Sequence, residues 1–202
     1  MSKELYIAID TETGGLDHSI NPLLQVGAYV AMLDKDTMEA SFIAQGEWNI
    51  KPSQYSGKEF DPKALAVNGL NLEILEATGL TLDEVGDALY NLVSSAKDAT
   101  KPDKTYILGQ NLKFDFRFMQ AYLPAKTMSY LERFLQKELM DKSEDYHLVT
   151  TPEPGVERST SLGAMANELN IVNERAHTSL SDAKTTFEVL VELNRRLVAM
   201  RK

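Results

Sequence analysis

The chain of 202 residues contains no cysteine, and that one absence removes disulfides, thiolate metal sites and cysteine nucleophiles together. Long apolar runs are missing too. No stretch approaches the roughly 20 residues that cross a bilayer, and Met1-Ser2-Lys3-Glu4 leads into a short strand-like segment without a signal-peptide pattern. These absences predict an intracellular, cytoplasmic protein with no membrane span. Positive charge is scarce, with 21 Lys and Arg against 30 Asp and Glu, a net charge of −9. A binder that grips long duplex nucleic acid rests on basic patches, so that class is disfavoured. An enzyme that holds only a few nucleotides is not, because divalent cations offset an acidic site and bases stack on aromatic rings.

What is present is ordinary for a globular protein: 43% hydrophobic and 25% charged residues. No internal repeat, low-complexity tract or linker interrupts the sequence, which predicts a single domain over residues 1–202.

The informative stretch is Ile7-Ala8-Ile9-Asp10-Thr11-Glu12-Thr13-Gly14-Gly15-Leu16-Asp17, a short apolar strand ending in two carboxylates one residue apart. In an extended chain side chains alternate between faces, so Asp10 and Glu12 point the same way. Two like charges held that close repel unless a cation or proton lies between them. Hard divalent ions prefer carboxylate oxygens, and Gly14-Gly15 lets the backbone turn close to a ligand. A solvated strand end would carry the same residues, so the pair alone does not decide.

Along the rest of the chain, residues 23–33 read as a buried strand and residues 41–50 as a third, forming an antiparallel meander with the first. Residues 51–60 form a loop. Asp61-Pro62 and Gly69 bracket a short helix, a second short helix spans Leu72 to Ala77, and Thr81 with Glu84 has capping-box spacing for a helix reaching Lys97. A strand is expected at Tyr106 to Gly109. Helices are expected from Phe114 to Leu123 and from Thr127 to Met140. Residues 141–160 read as a mobile polar loop with a short strand at Tyr146 to Val149, followed by helices at Ser161 to Leu169 and Asp182 to Met200. This order predicts an α/β fold with a mixed sheet, the meander extended by parallel strands through helical crossovers. Tyr122, Tyr130 and Phe134 lie at helical spacing and are expected in the core.

Two more acidic positions stand out. Asp115 falls in the first turn of a helix after Gln110-Asn111-Leu112-Lys113-Phe114, and Asp182 opens the last helix five residues after His177. Each alone reads as an ordinary helix start. Together with Asp10-Thr11-Glu12-Thr13-Gly14-Gly15, the segments Asn111-Leu112-Lys113-Phe114-Asp115 and His177 to Asp182 resemble, in order, the three motifs of the DEDDh 3′-5′ exonucleases of the DnaQ-like superfamily. That family includes polymerase proofreading subunits, ribonuclease T and oligoribonuclease. Three positions depart from its usual pattern and bear on substrate preference: Ser179 stands for Ala, Gln110 for His, and Asn68 for the His of proofreading subunits.

The resemblance implies a ribonuclease H-like fold and a hydrolase that releases nucleoside 5′-monophosphates from single-stranded 3′ ends, DNA favoured and RNA possible. It implies two Mg2+ or Mn2+ ions. Asp10, Glu12 and Asp182 would hold the first, Asp10 would bridge to the second, and Asp115 would support the second. His177 would be the general base. Thr13, Gly14, Leu16, Asn68, Asn111 and Phe114 would contact the terminal nucleotide, Leu16 and Phe114 having an alternative as ordinary core residues. Lys113 and Arg117 read better as solvated charges than as phosphate contacts. Two other classes compete: an accessory module docked on a polymerase or replication complex, and a Ca2+-stabilised structural domain, which the histidine before Asp182 disfavours.

Overall fold

β1 (Lys3–Thr13) is the middle strand of the sheet in this computed structural model, which describes residues 3–150 and 158–200. β2 (Leu23–Asp34) pairs antiparallel with it and β3 (Ala40–Asn49) antiparallel with β2. On the other side, β4 (Lys104–Gly109) runs parallel to β1, and β5 (Leu135–Glu138) parallel to β4. The strand order is β3-β2-β1-β4-β5. Parallel neighbours need crossovers. The β3-to-β4 crossover carries α1 (Pro62–Asn68), α2 (Leu72–Thr78) and α3 (Leu82–Thr100), and the β4-to-β5 crossover carries α4 (Leu112–Tyr122) and α5 (Ala125–Leu131). Then come α6 (Leu139–Thr150), α7 (Leu162–Leu169) and α8 (Ser179–Ala199). Helix ends follow local chemistry: Asp61 accepts the Lys63 N–H, Gly69 closes α1 in the left-handed region, and Thr81 with Glu84 forms the expected reciprocal box.

A central strand covered on both faces has apolar residues on both sides, and Leu5 to Ile9 of β1 are all buried. Leu5, Ile7 and Ile9 join a cluster with Val85, Leu89 and Val93 of α3 and Phe116 and Met119 of α4. Tyr6 and Ala8 join the opposite cluster, with Leu139 and Tyr146 of α6, Met165 of α7 and Phe187 and Leu190 of α8. The alternation continues past the apolar stretch. Asp10 and Glu12 extend the row facing α8, and Thr11 extends the row facing α4.

Two expectations fail in the same region. The helix expected over 127–140 ends at Leu131, and residues 135–138 form β5. This strand is four residues long, at the sheet edge and without a buried residue, so its side chains show no apolar alternation to be read. The strand expected at 146–149 is helical, as are residues 141–150 of the expected mobile loop. Leu148 and Val149 suggested a strand, yet they are 81% and 63% exposed, whereas Leu139, Ser143, Tyr146 and His147 are buried at helical spacing. Residues 151–157 of that loop lie outside the described residues. The core expectation for Tyr122, Tyr130 and Phe134 holds in part, since they pack half-buried against the first cluster.

Gly27 of β2 sits opposite Asp10 in register. A Cβ there would overlap the backbone of Ser179 and Leu180, so the missing side chain is what lets the first turn of α8 rest on the strand. The Gly27→Ala variant is therefore expected to be destabilised by about 1–3 kcal/mol, read as a lower urea midpoint with an unchanged slope.

Candidate active site

At the C-terminal end of β1, Asp10 and Glu12 meet Asp182 from the first turn of α8, with one carboxylate oxygen of each lying within 4.8 Å of the others. All three are half-buried. The pKa of Asp10 is raised well above the usual range, first by burial and then by the charges of Asp115, Asp182 and Glu12. Glu12 is pushed up to about 7 by burial and Asp182, while hydrogen bonding from Asn68 opposes the rise. Such a set is electrostatically costly unless positive charge joins it. Its donors are all hard oxygens, which fits a divalent cation of the Mg2+ or Mn2+ kind.

Asp115 approaches from the other side of the sheet. It is buried in α4, and its Oδ1 accepts from the Thr11 N–H at 2.9 Å and from the Thr11 hydroxyl at 2.7 Å. Because Thr11 faces α4, the strand's alternation keeps Asp115 out of the three-oxygen group, but its charge is still the largest effect on Asp10 after burial. Asp115's own pKa is raised by burial and pulled back by the Thr11 bonds. Asn111, in the left-handed region, provides no side-chain cap for α4. Glu138 of β5 does so instead, accepting the N–H groups of Asn111 and Leu112 at 2.7 Å each.

His177 is exposed and stands in the left-handed region, with its N–H donating to Asp182 Oδ2 at 3.1 Å. No hydrogen bond from its ring is found among the described residues. Ser179 donates both its N–H (3.0 Å) and its hydroxyl (2.9 Å) to Gln25 Oε1. Glu47 of β3 accepts the Leu180 N–H at 3.1 Å and adds to the upward push on Glu12.

The residues expected around a terminal nucleotide border this cluster unevenly. Thr13 is buried and its hydroxyl donates to the Gly15 carbonyl at 2.6 Å, while Asn68 of α1 donates to the Thr13 carbonyl at 3.2 Å. Gly14 donates to Pro22 and accepts from Asp61, and a Cβ on it would press into the Pro22 ring at 2.7 Å. Leu16, 85% exposed on this braced turn, is not a core residue. Phe114 is half-buried against Phe118, with ring centroids 4.9 Å apart. Asn111, Lys113 and Arg117 are exposed.

The sequence reading missed Gln25, Glu47 and Glu138. Gln25 alone left a signal, as a polar side chain inside the apolar run of β2.

The architecture is the ribonuclease H-like fold. The zinc-bound complex of Escherichia coli exonuclease I with single-stranded DNA superposes with a TM-score of 0.69 at 19% identity, covering 97% of this chain and 41% of that one. In sequence the chain is similar to ribonuclease T of Blochmanniella pennsylvanica, 24% identical over 127 residues, which is 63% of this chain and 56% of that protein. It is also similar to the 3′-5′ DNA exonuclease Cap18 of Escherichia coli, 33% identical over 121 residues, 59% of this chain and 57% of that one. The matches thus span somewhat more than half the length of these relatives. No family model matches. In sequence the chain is thus similar to a ribonuclease T and a 3′-5′ DNA exonuclease, and in fold to exonuclease I.

The Glu12 shift sets a pH dependence. An acid whose folded pKa lies above its unfolded value stabilises the folded state fully below the unfolded pKa, here 4.5, and that contribution is lost as pH rises through about 7. The thermal midpoint of the protein in EDTA is expected to fall across that window. Excess Mn2+ at pH 8 is expected to raise it again, since a ligand of the folded state stabilises it. A midpoint at pH 8 indifferent to Mn2+, followed by differential scanning fluorimetry, would count against a cation-binding cluster.

Proposed function

We propose that this chain is a single-domain, intracellular, metal-dependent 3′-5′ exonuclease. It would hydrolyse phosphodiester bonds at single-stranded nucleic-acid 3′ ends, DNA in preference to RNA, and release nucleoside 5′-monophosphates. The observation that carries the reading is the convergence of Asp10, Glu12 and Asp182 within 4.8 Å, beside a histidine tied to Asp182 through its backbone. The likeness in fold to exonuclease I and in sequence to a ribonuclease T and a 3′-5′ DNA exonuclease supports it.

In this reading Asp10, Glu12 and Asp182 hold one Mg2+ or Mn2+ ion, and Asp10 with Asp115 supports a second. Bound divalent cations supply positive charge at a phosphodiester that would otherwise repel its attacker and part poorly from its leaving oxygen. Asp115 acts from behind the strand. Its two bonds from Thr11 favour its charged form against the burial that raises its pKa, and its charge bears on Asp10 without its oxygens entering the cluster. His177 accepts a proton from the attacking water on an imidazole nitrogen, acting as general base. Its backbone is anchored and its ring is exposed, so the ring can turn toward the substrate.

The terminal nucleotide lies against Leu16 and the braced turn at Thr13-Gly14, with Phe114, Asn68 and Asn111 around it. Exposed Leu16 offers an apolar edge to a base at low desolvation cost, because it is already held out by the Gly14–Asp61 and Gly14–Pro22 hydrogen bonds.

The test is to incubate the protein with 3′-labelled and 5′-labelled single-stranded DNA and RNA in Mg2+, Mn2+ or EDTA. Labelled mononucleotide should leave the 3′ label first, in metal only. His177→Ala should lower turnover by about two to four orders of magnitude while leaving Mn2+ binding intact. Absence of digestion in every metal would favour a non-catalytic accessory module, and a His177→Ala variant of near-normal rate would remove the histidine from its role.

A further inference from the structure

We propose that Asn173 is a positioning residue that fastens the histidine-bearing loop to Asp182, so that cation binding at the carboxylate cluster and placement of His177 are mechanically one event. The proposal rests on the exonuclease reading for the role of His177. The fastening itself is a matter of hydrogen bonds.

Both oxygens of Asp182 are engaged by the segment 173–177. Oδ1 accepts from Asn173 Nδ2 at 2.6 Å, and Oδ2 accepts from the His177 N–H at 3.1 Å. One carboxylate therefore receives a bond from each end of the segment. Between those ends Glu174, Arg175 and Ala176 are exposed, whereas Asn173 is half-buried, its side chain turned toward the helix. Asn173 Oδ1 in turn accepts the Ser181 hydroxyl at 2.7 Å, and Ser181 Oγ accepts the Arg175 N–H at 3.3 Å. Thr178 donates its hydroxyl to the Arg175 carbonyl at 2.9 Å.

The chemistry suits an amide. Asn173 gives a donor to the carboxylate and an acceptor to the serine without adding charge. An aspartate in its place would bring one more negative group to a cluster already crowded with them, and an alanine would leave Asp182 Oδ1 and the Ser181 hydroxyl each short of a partner. The same bonds hold His177 in the left-handed region, at φ 65°, a conformation that a non-glycine residue adopts at a cost. A charge-assisted bond to Asp182 offsets it. When a cation draws on Asp182, the same carboxylate transmits the change to the histidine backbone. The histidine does not have to ligate anything to respond.

The chain has three histidines, so the His177 ring can be assigned by NMR through the loss of its signals in His177→Ala. In the wild type, adding Mg2+ is expected to shift the His177 ring resonances, and in Asn173→Ala that response should be lost. Mn2+ affinity by calorimetry should weaken by no more than about 10-fold, and kcat should fall about 10- to 100-fold with KM nearly unchanged, the range for removing a group that orients a metal ligand. Asn173→Asp keeps size and the Ser181 bond while replacing the donor, and it controls for a folding defect. It should reproduce the lost ring response in a protein that stays folded by circular dichroism, its thermal midpoint lowered by the added negative charge. A His177 ring indifferent to Mg2+ in the wild type, or responding normally in Asn173→Ala, overturns the proposal, as does full rescue by Asn173→Asp. A wild type that binds Mn2+ and shows the ring response but digests no nucleic acid would sink the exonuclease reading and leave the fastening standing.

Discussion

The two-residue alternation of β1 is the constraint on which the rest of the structure depends. Leu5, Ile7 and Ile9 must face α3 and α4, and Tyr6 and Ala8 must face α6, α7 and α8, because both layers need apolar surface to bury. Once those five residues are fixed, Asp10, Thr11 and Glu12 have no choice of side. The acidic pair emerges on the α8 face and Thr11 on the α4 face. A slip of one residue would bury both carboxylates against α4 and remove the threonine that holds Asp115. The core thus sets the site with the same interactions that stabilise the sheet.

Bringing α8 close enough for Asp182 to complete the cluster needs a gap in β2 and something to pin the helix there. Gly27, directly opposite Asp10, supplies the gap. Gln25, two residues earlier on the same face, pins Ser179, while Asn49 holds the Gln25 amide at 2.7 Å. Ser179 is therefore a local solution, its hydroxyl paired within the protein. Through that pair it docks the first turn of α8 on β2.

Legibility in the sequence followed the range of the interactions. The pairing of Asp10 with Glu12 is a property of one strand, the caps at Asp61 and Thr81 span three or four residues, and both were readable. The motif order brought in Asp115, His177 and Asp182, but not the fact that Asp115 acts from behind Thr11, which requires knowing which layer α4 joins. β5 was invisible because its strand character comes from pairing with β4, and its four residues carry no pattern. Glu138 went unseen with it, although it replaces the cap that Asn111 does not provide. Leu148 and Val149 misled in the opposite direction, as strand-forming residues on an exposed helical face.

The row of β1 that carries Asp10 and Glu12 also carries Glu4, and its two ends contrast a compensated acid with uncompensated ones. Glu4 is buried, but the protein provides for it: hydroxyls of Tyr6 and Tyr106 donate to it at 2.8 and 3.3 Å, and Lys35 lies 3.6 Å away. Lys137 completes that end, bonded to the Tyr6 hydroxyl at 2.6 Å and lying 4.1 Å above the Tyr106 ring. At the other end, four carboxylates act on one another, and among the described residues no lysine or arginine forms an ion pair with Asp10, Glu12, Asp115 or Asp182. Their described hydrogen-bond partners are neutral: Thr11, Asn68, Asn173 and the His177 backbone N–H. Neutral donors fix the direction of a carboxylate without cancelling its charge. A fold that can neutralise a buried acid on this row, and does so at Glu4, leaves the Asp10 end uncompensated, and that negative potential favours a cation from solution.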